Sequence, residues 1–311
     1  MFKVGFMSQP RPFVSIVIPT FARPTQLATC LQSLANLCYP RDRFEVIVVD
    51  DGSEMSLEPV VAPFCKQLNL TIVKQANAGP AAARNTGAAK AKGEFLAFTD
   101  DDCTPAPDWL SVLAQRFAKT PDRIVGGRTI NKLSNNIYAS TSQLIVDIVY
   151  RHYNAKPDEA RFFASNNMVV PAKLFRELGG FNPDFRTSED RELYDRWLHR
   201  GWRMIYAENA VTYHAHPLTL RQFCRQHYAY GQGAYRYHQI RAQRGSGTMA
   251  GEMKFHANLR NWLLYPFTQV RWTKALPLAG TLLLWQVINA VGFFAAALKQ
   301  KKDYTNTRLI G

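Results

Sequence analysis

The sequence predicts an α/β fold, a mainly parallel sheet with helices on both faces, followed by an apolar helical tail. Three observations predict it. Through the first hundred residues, short apolar, β-branched runs alternate with segments of helical periodicity. Acidic residues gather where two of the predicted strands end. Near the C-terminus an uncharged run, ALPLAGTLLLWQVINAVGFFAAAL, occupies 275–298.

Taken in order, VSIVIP at 14–19 is a short buried strand, and 25–37 is a helix with Leu27, Leu31 and Leu34 on one face. EVIVVD at 45–50 is a second strand, 57–68 a helix, 70–75 a third strand, 80–91 an alanine-rich helix and FLAFT at 95–99 a fourth strand. This βαβα order implies parallel pairing, because each crossover helix returns the chain to the end of the sheet where the previous strand began. Beyond Trp109 the alternation loosens. Strands are expected at 124–129, 162–170 and 210–213, and helices at 135–153 and 189–200. The basic, aromatic stretch 218–244 reads as one helix or two.

The 311 residues can hold one large α/β domain with an appendage, and 47% hydrophobic with 20% charged residues is ordinary for a folded chain. The expected division is a tail at 1–12, a catalytic domain at 13–245 (halves 13–105 and 106–217) and a membrane-associated helical region at 246–311. No low-complexity segment or internal repeat is found. The five scattered cysteines include no CxxC, which suggests reduced thiols in a cytosolic setting. Residues 1–12 lack the apolar core of a secretory signal. The net charge of +14 favours anionic partners without choosing among them. The 275–298 run is long enough to cross a bilayer. Lysines flank it on both sides, which leaves spanning, re-entrant and interfacial placements open.

In open parallel sheets, ligands gather beyond the carboxyl ends of the strands. Asp50 and Asp51 follow the second strand there, and Asp100, Asp101 and Asp102 follow the fourth. Three adjacent carboxylates repel one another unless a cation or basic groups offset them. Oxygen ligands on a loop favour Mg²⁺ or Mn²⁺ over zinc. A solvated acidic turn, capping a helix that starts near Pro107, fits these residues equally well. Asp-Gly-Ser at 51–53 is also ordinary turn chemistry. In NAGPAAARNTG at 77–87 a Gly-Pro turn opens a helix that presents Arg84, so its free amides and the guanidinium suit an anion. Neither a Walker loop nor a GxGxxG fingerprint is present.

VSIVIPTFAR, VIVVDDGS, NAGPAAARNTG and GEFLAFTDDD, in this order, resemble the donor half of family 2 glycosyltransferases of the GT-A fold. SNNMVVPAKLFRELGGFNPDF and SEDRELYDRW resemble that family's acceptor half. The resemblance implies an inverting transfer from a nucleotide-diphosphate sugar, with a uridine diphosphate sugar as the expected donor and Mg²⁺ or Mn²⁺ as cofactor. It implies that Thr20, Asp50, Asp51 and Arg84 line the donor site together with Asp100 and Asp101. Asp100 and Asp102 would be the outer residues of the DxD signature, with Asp102 the direct metal ligand. Asp190 would be the general base, although helix N-terminal charge alone also accounts for Glu189 and Asp190. Asn166, Asn167 and Glu189 are the acceptor-side candidates. A histidine often completes the metal shell of GT-A enzymes, and His214 is preferred to His216 for that place.

The family's processive synthases carry QxxRW after the base. Here 225–235 reads RQHYAYGQGAY, without it, which implies single-sugar transfer to a glycan or lipid-linked acceptor. The expected location is the cytoplasmic face of a membrane. A nucleotidyltransferase of related fold and a catalytically silent membrane scaffold are the rivals. Nucleic acid is not an expected partner, because no RRM, KH or helix-turn-helix signature accompanies the basic charge.

Overall fold

The computed structural model describes residues 11–310, so the expected tail at 1–12 lies outside the described residues except for its last two. In chain order the elements are β1 (Val14–Thr20), α1 (Pro24–Ala35), β2 (Phe44–Asp50), α2 (Glu58–Val61), β3 (Leu70–Lys74), α3 (Pro80–Lys90) and β4 (Phe95–Phe98). Next come β5 (Cys103–Pro105), α4 (Trp109–Phe117), β6 (Ile124–Asn131), α5 (Ile137–Tyr153), β7 (Met168–Pro171) and α6 (Ala172–Leu178). The series continues with α7 (Glu189–His199), β8 (Met204–His214), α8 (Leu220–Arg244), α9 (Ala250–Ala257), α10 (Leu259–Gln269) and α11 (Trp272–Ile310). The chain divides into two compact units. Met1–Ile130, Lys156–Pro183 and Gly201–His214 form the first, and the remainder forms the second.

The first unit is built on an eight-stranded sheet of order β3-β2-β1-β4-β7-β6-β8-β5. β3, β2, β1 and β4 are parallel neighbours, as the βαβα pattern requires. The later strands join antiparallel, β7 on β4, β6 on β7 and β5 on β8, so the sheet as a whole is mixed. β1 and β2 are buried on both faces, which is why they read as apolar runs without alternation. Ile16, Ile18, Val46 and Val48 share a core with Leu27, Cys30, Leu31 and Leu34 of α1. Each fully buried leucine there contributes roughly 1.5–3 kcal/mol. Val17 and Val49 point to the opposite face, against α3. A Cβ at Gly87 would stand 2.4 Å from Cγ1 of Val17 and 3.1 Å from Cγ2 of Val49, so only glycine lets α3 sit this close.

Three expected elements differ, the first being the strand expected at 210–213, which runs from Met204 to His214. The helix expected at 57–68 is cut into the four-residue α2 and a 3₁₀ turn, Ala62–Phe64, because Pro59 and Pro63 each remove a backbone donor. The strand expected at 162–170 begins only at Met168. Ser165–Asn167 form a 3₁₀ turn instead, and the amide of Asn167 takes over the work of a ladder. It accepts from the Trp109 indole at 2.8 Å and donates to the carbonyls of Arg128 (2.9 Å) and Ala210 (3.0 Å).

In the second unit α5, α8, α10 and α11 enclose Leu144, Ile148, Leu218, Phe223, Trp262, Leu278, Leu282 and Trp285. The 218–244 stretch is a single helix, started by a capping box in which Thr219 and Gln222 satisfy each other's backbone amides. α8 and α11 approach to backbone contact. A Cβ on Gly231 would lie 2.1 Å from the Asn289 carbonyl, and one on Gly292 would lie 2.1 Å from the Tyr228 carbonyl. The uncharged 275–298 run falls inside α11. Its Ala275, Leu278, Leu282 and Trp285 face inward, while Leu276, Leu283, Val287, Val291, Phe294 and Leu298 are each at least half exposed.

Candidate active site

The carboxyl ends of the parallel strands present the acidic groups. Thr20 and Asp50 are register partners at the ends of β1 and β2, and the Asp51 amide donates to the Thr20 carbonyl at 2.9 Å. Asp50 Oδ1 accepts from the Ser53 amide at 2.9 Å, which closes the turn after β2. The Asp51 carboxylate accepts from the amides of Ala78 and Gly79, both at 2.9 Å, and from the Gln75 side chain at 2.7 Å. Gly79 holds φ +93° as the N-cap of α3. The anion that this helix start attracts is therefore, in the structure, the chain's own Asp51.

Arg84 is 4% exposed and donates from Nη2 to Asp100 Oδ1 at 2.7 Å, with its guanidinium over the ring of Phe181. Asp101 Oδ2 accepts from the Thr20 hydroxyl at 2.8 Å. Arg23 Nη1 lies 3.1 Å from both Asp101 Oδ1 and Asp102 Oδ2. Burial pushes Asp101 up to about 6, against the opposing pull of Arg23. His214 Nε2 is 3.2 Å from Asp102 Oδ1. Strand pairing puts it there: β5 runs antiparallel to β8 with Cys103 opposite His214, so the residue before Cys103 meets the imidazole. Burial alone would lower His214, but the hydrogen bond and charge of Asp102, with Asp100 behind it, raise it above the ordinary histidine range.

Asp102, Cys103 and His214 are a cluster of ligand atoms mutually within 4.8 Å. Burial pushes the Cys103 thiol well up, so it stays protonated and is a poor ligand. That leaves a carboxylate and an imidazole beside two further carboxylates, a donor set that suits Mn²⁺ or Mg²⁺ with open positions for water and phosphate. Asp102, drawn by a cationic side chain at one oxygen and an imidazole at the other, fits a cation ligand.

The structure thus brings together Thr20, Asp50, Asp51, Arg84, Asp100, Asp101, Asp102 and His214 in the first unit. Asn167 is fully buried with its amide spent within the protein, and Asn166 Oδ1 accepts from Thr129 at 3.0 Å. His216 is in the second unit, its Nε2 3.2 Å from Gln226 Oε1. Arg23 is the residue that the sequence reading passed over. Its signal was a basic residue in the turn between Thr20 and the first helix.

Asp190 and Glu189 begin α7 in the second unit. Asp190 Oδ1 accepts from the Arg191 amide at 2.7 Å, and Glu189 is buried. Ser188, just before them, holds φ +66°, a strained setting for a residue with a side chain. α8 makes room for this corner: a Cβ on Gly233 would lie 2.2 Å from Thr187 Oγ1 and 2.9 Å from Ser188 Oγ. Thr187 also donates to the Ala229 carbonyl at 3.1 Å. Further along α7, Glu192 is held by Arg196 at 2.7 Å and by Arg244 at 2.8 Å, while Asp195 pairs with Arg244 and with Ser246 Oγ at 2.6 Å. Arg191 lies over the Tyr237 ring at 4.5 Å. The helix that carries Asp190 is thereby pinned to α8 at both ends.

Comparison with known proteins agrees with this architecture. The chain is similar to glycosyltransferase AglE of Haloferax volcanii, 26% identical over 67% of this chain and 68% of that one. It is similar to the pre-mycofactocin glycosyltransferase of Mycobacterium tuberculosis, 29% identical over 71% of this chain but only 46% of that one, so it spans about half of that relative's length. Among solved structures it resembles the mannosyltransferase PcManGT from Pyrobaculum calidifontis, solved in complex with GDP-Man and Mn²⁺. The TM-score is 0.67 at 22% identity, covering 94% of this chain and 88% of that one, a likeness of fold. The family model described as glycosyl transferase family 2 matches residues 15–179, more than half of the sequence, and the chain belongs to that family.

Proposed function

We propose that this glycosyltransferase takes a sugar from a nucleotide-diphosphate donor and transfers it, with inversion, to a hydroxyl of a glycan or lipid-linked acceptor. The observation that carries the reading is Asp102, set between His214 Nε2 at 3.2 Å and Arg23 Nη1 at 3.1 Å beyond the ends of the parallel strands. Asp102 and His214 would hold a Mg²⁺ or Mn²⁺ ion, which supplies charge neutralisation for the departing diphosphate. Thr20, Asp50, Asp51, Arg84, Asp100 and Asp101 line the donor side. Asp190 removes the acceptor proton so that the hydroxyl oxygen attacks the anomeric carbon in line.

The location that fits best is a cytoplasmic membrane surface. α11 is the one helix among the described residues long and apolar enough to cross a bilayer. Its exposed stripe, Leu276 to Leu298, recurs at three- and four-residue spacing, and its other side lies along α8, which carries Arg221, Arg225, Arg236, Arg241 and Arg244. Exposed Arg271 and Lys274 stand at one end of the stripe, and Lys299 and Lys301 at the other. Crossing the bilayer would drag charged α8 into hydrocarbon. An in-plane placement buries the stripe and leaves the basic ends among anionic headgroups.

The test is donor turnover by the purified chain across UDP- and GDP-sugars, with Mn²⁺, Mg²⁺ or neither. Cation-dependent release of nucleoside diphosphate from one donor is expected. Release of pyrophosphate from nucleoside triphosphates instead would move the reading to nucleotidyl transfer. Asp190→Asn should abolish transfer while donor affinity stays within about twofold, since it removes a proton acceptor and little binding. Retained transfer would remove Asp190 from its role.

A further inference from the structure

One nitrogen of Arg23 is shared by two carboxylates, 3.1 Å from Asp101 and 3.1 Å from Asp102. The carboxylate side chains are 4% and 6% exposed, while the arginine side chain is 42% exposed. A cationic side chain that reaches Asp102 from the solvent side competes with any divalent ion for that carboxylate. The backbone of Arg23 is fixed: its carbonyl accepts from the Leu27 amide at 3.0 Å, and Pro24 follows at the first position of α1. Its side chain is long and half in water, so the guanidinium can leave without disturbing the fold.

We propose that Arg23 is a displaceable counter-ion that makes cation binding at Asp102 conditional on the nucleotide. The proposal rests on the donor and cation reading above. Without ligands, Arg23 offsets the repulsion within the acidic triplet. A divalent ion arriving alone must evict the guanidinium into water, where it has no anionic partner, and the ion binds weakly as a result. A nucleoside diphosphate offers that partner, because the planar fork pairs with phosphate as well as with carboxylate. With Arg23 on the diphosphate, the guanidinium no longer competes with the ion for Asp102 Oδ2. Linkage then requires that the ion tighten the nucleotide by the same factor.

The experiment measures Mn²⁺ affinity of the full chain by calorimetry and by electron paramagnetic resonance of free Mn²⁺, alone and with UDP or GDP. Wild type is compared with Arg23→Ala, Arg23→Gln and Asp102→Asn. Without nucleotide, Arg23→Ala should bind Mn²⁺ about tenfold more tightly, the size of one charge-assisted hydrogen bond removed from competition. The tightening that nucleoside diphosphate brings should shrink by about the same factor. Arg23→Gln, nearer in shape, should move in the same direction and serves if the alanine variant does not fold. Mn²⁺ binding that is unchanged or weaker in both Arg23 variants overturns the proposal. Loss of Mn²⁺ binding in Asp102→Asn upholds the cation reading whatever the Arg23 variants do. Wild-type binding there sinks that reading and the role of Arg23 with it.

Discussion

His227 of α8 should make the protein's stability fall with pH in a way that one substitution removes. The side chain is 2% exposed, and neither ring nitrogen has a hydrogen-bond partner among the described residues. Its ring meets Phe223 at 4.4 Å, Tyr230 at 5.5 Å and Trp285 at 6.3 Å, all edge to face. Burial in this aromatic setting pushes it down from 6.5 to about 4. Above pH 6.5 the imidazole is neutral whether the chain is folded or not, and its packing contributes in full. Between pH 6.5 and 4 the unfolded chain takes up a proton that the folded chain refuses, so stability is lost as the pH falls. At about 1.4 kcal/mol per pH unit the loss reaches about 2 kcal/mol at pH 5 and levels off near 3 kcal/mol below pH 4. His227→Phe keeps the ring and removes the nitrogens. Urea unfolding of both proteins at pH 7, 6, 5 and 4.5 isolates the effect, because other acid titrations are common to the pair. The variant should gain on wild type by about 2 kcal/mol between pH 7 and 5. A difference that stays constant over this range would refute the assignment of a buried, neutral, unpartnered imidazole.

Two further outcomes follow from the second unit. Arg244→Met removes a partner of both Glu192 and Asp195, 1% and 7% exposed, which keep contacts with Arg196 and Arg241 respectively. It should cost roughly 3 kcal/mol by urea unfolding at pH 7, the low end for breaking a buried pair; a cost under about 1 kcal/mol would mean that the network does not hold α7. Wild-type protein should float with vesicles rich in phosphatidylglycerol, and the combined Leu283→Glu, Val287→Glu and Phe294→Glu variant should stay at the bottom of the gradient while folding normally. Flotation of the variant would deny the exposed stripe of α11 its part in membrane binding.

Much of the acidic cluster was legible because its chemistry is local. β1, β2 and β4 are short strands buried on both faces, so hydrophobicity alone marks them, and acids follow where β2 and β4 stop. Chain order then makes those strands parallel and sends Asp50, Asp51 and the Asp100–Asp102 triplet to one edge. The fate of each charge was not legible, because it depends on partners far along the chain. Arg84, read as suiting an anion, pairs with Asp100. Asp51, expected to line the donor site, accepts from the amides of Ala78 and Gly79. The strand expected at 162–170 failed for a related reason: its asparagines bond to side chains and carbonyls of α4, β6 and β8, and no local pattern announces that.

The neighbourhood of Asp102 shows most sharply why sequence reading stops where it does. β5 is three residues long, too short for periodicity to register, and it pairs with a strand more than a hundred residues away. That single ladder carries His214 to Asp102, whereas His216, two residues on, belongs to the other unit and meets Gln226. The sequence offered both histidines on nearly equal terms, and strand register separates them. The same short strand buries Cys103 beside the acids, which keeps its thiol protonated and leaves a carboxylate and an imidazole as the ligand pair. The character of the candidate cation site, oxygen and nitrogen donors and no thiolate, is thus set by a three-residue strand whose own residues carry no sign of it.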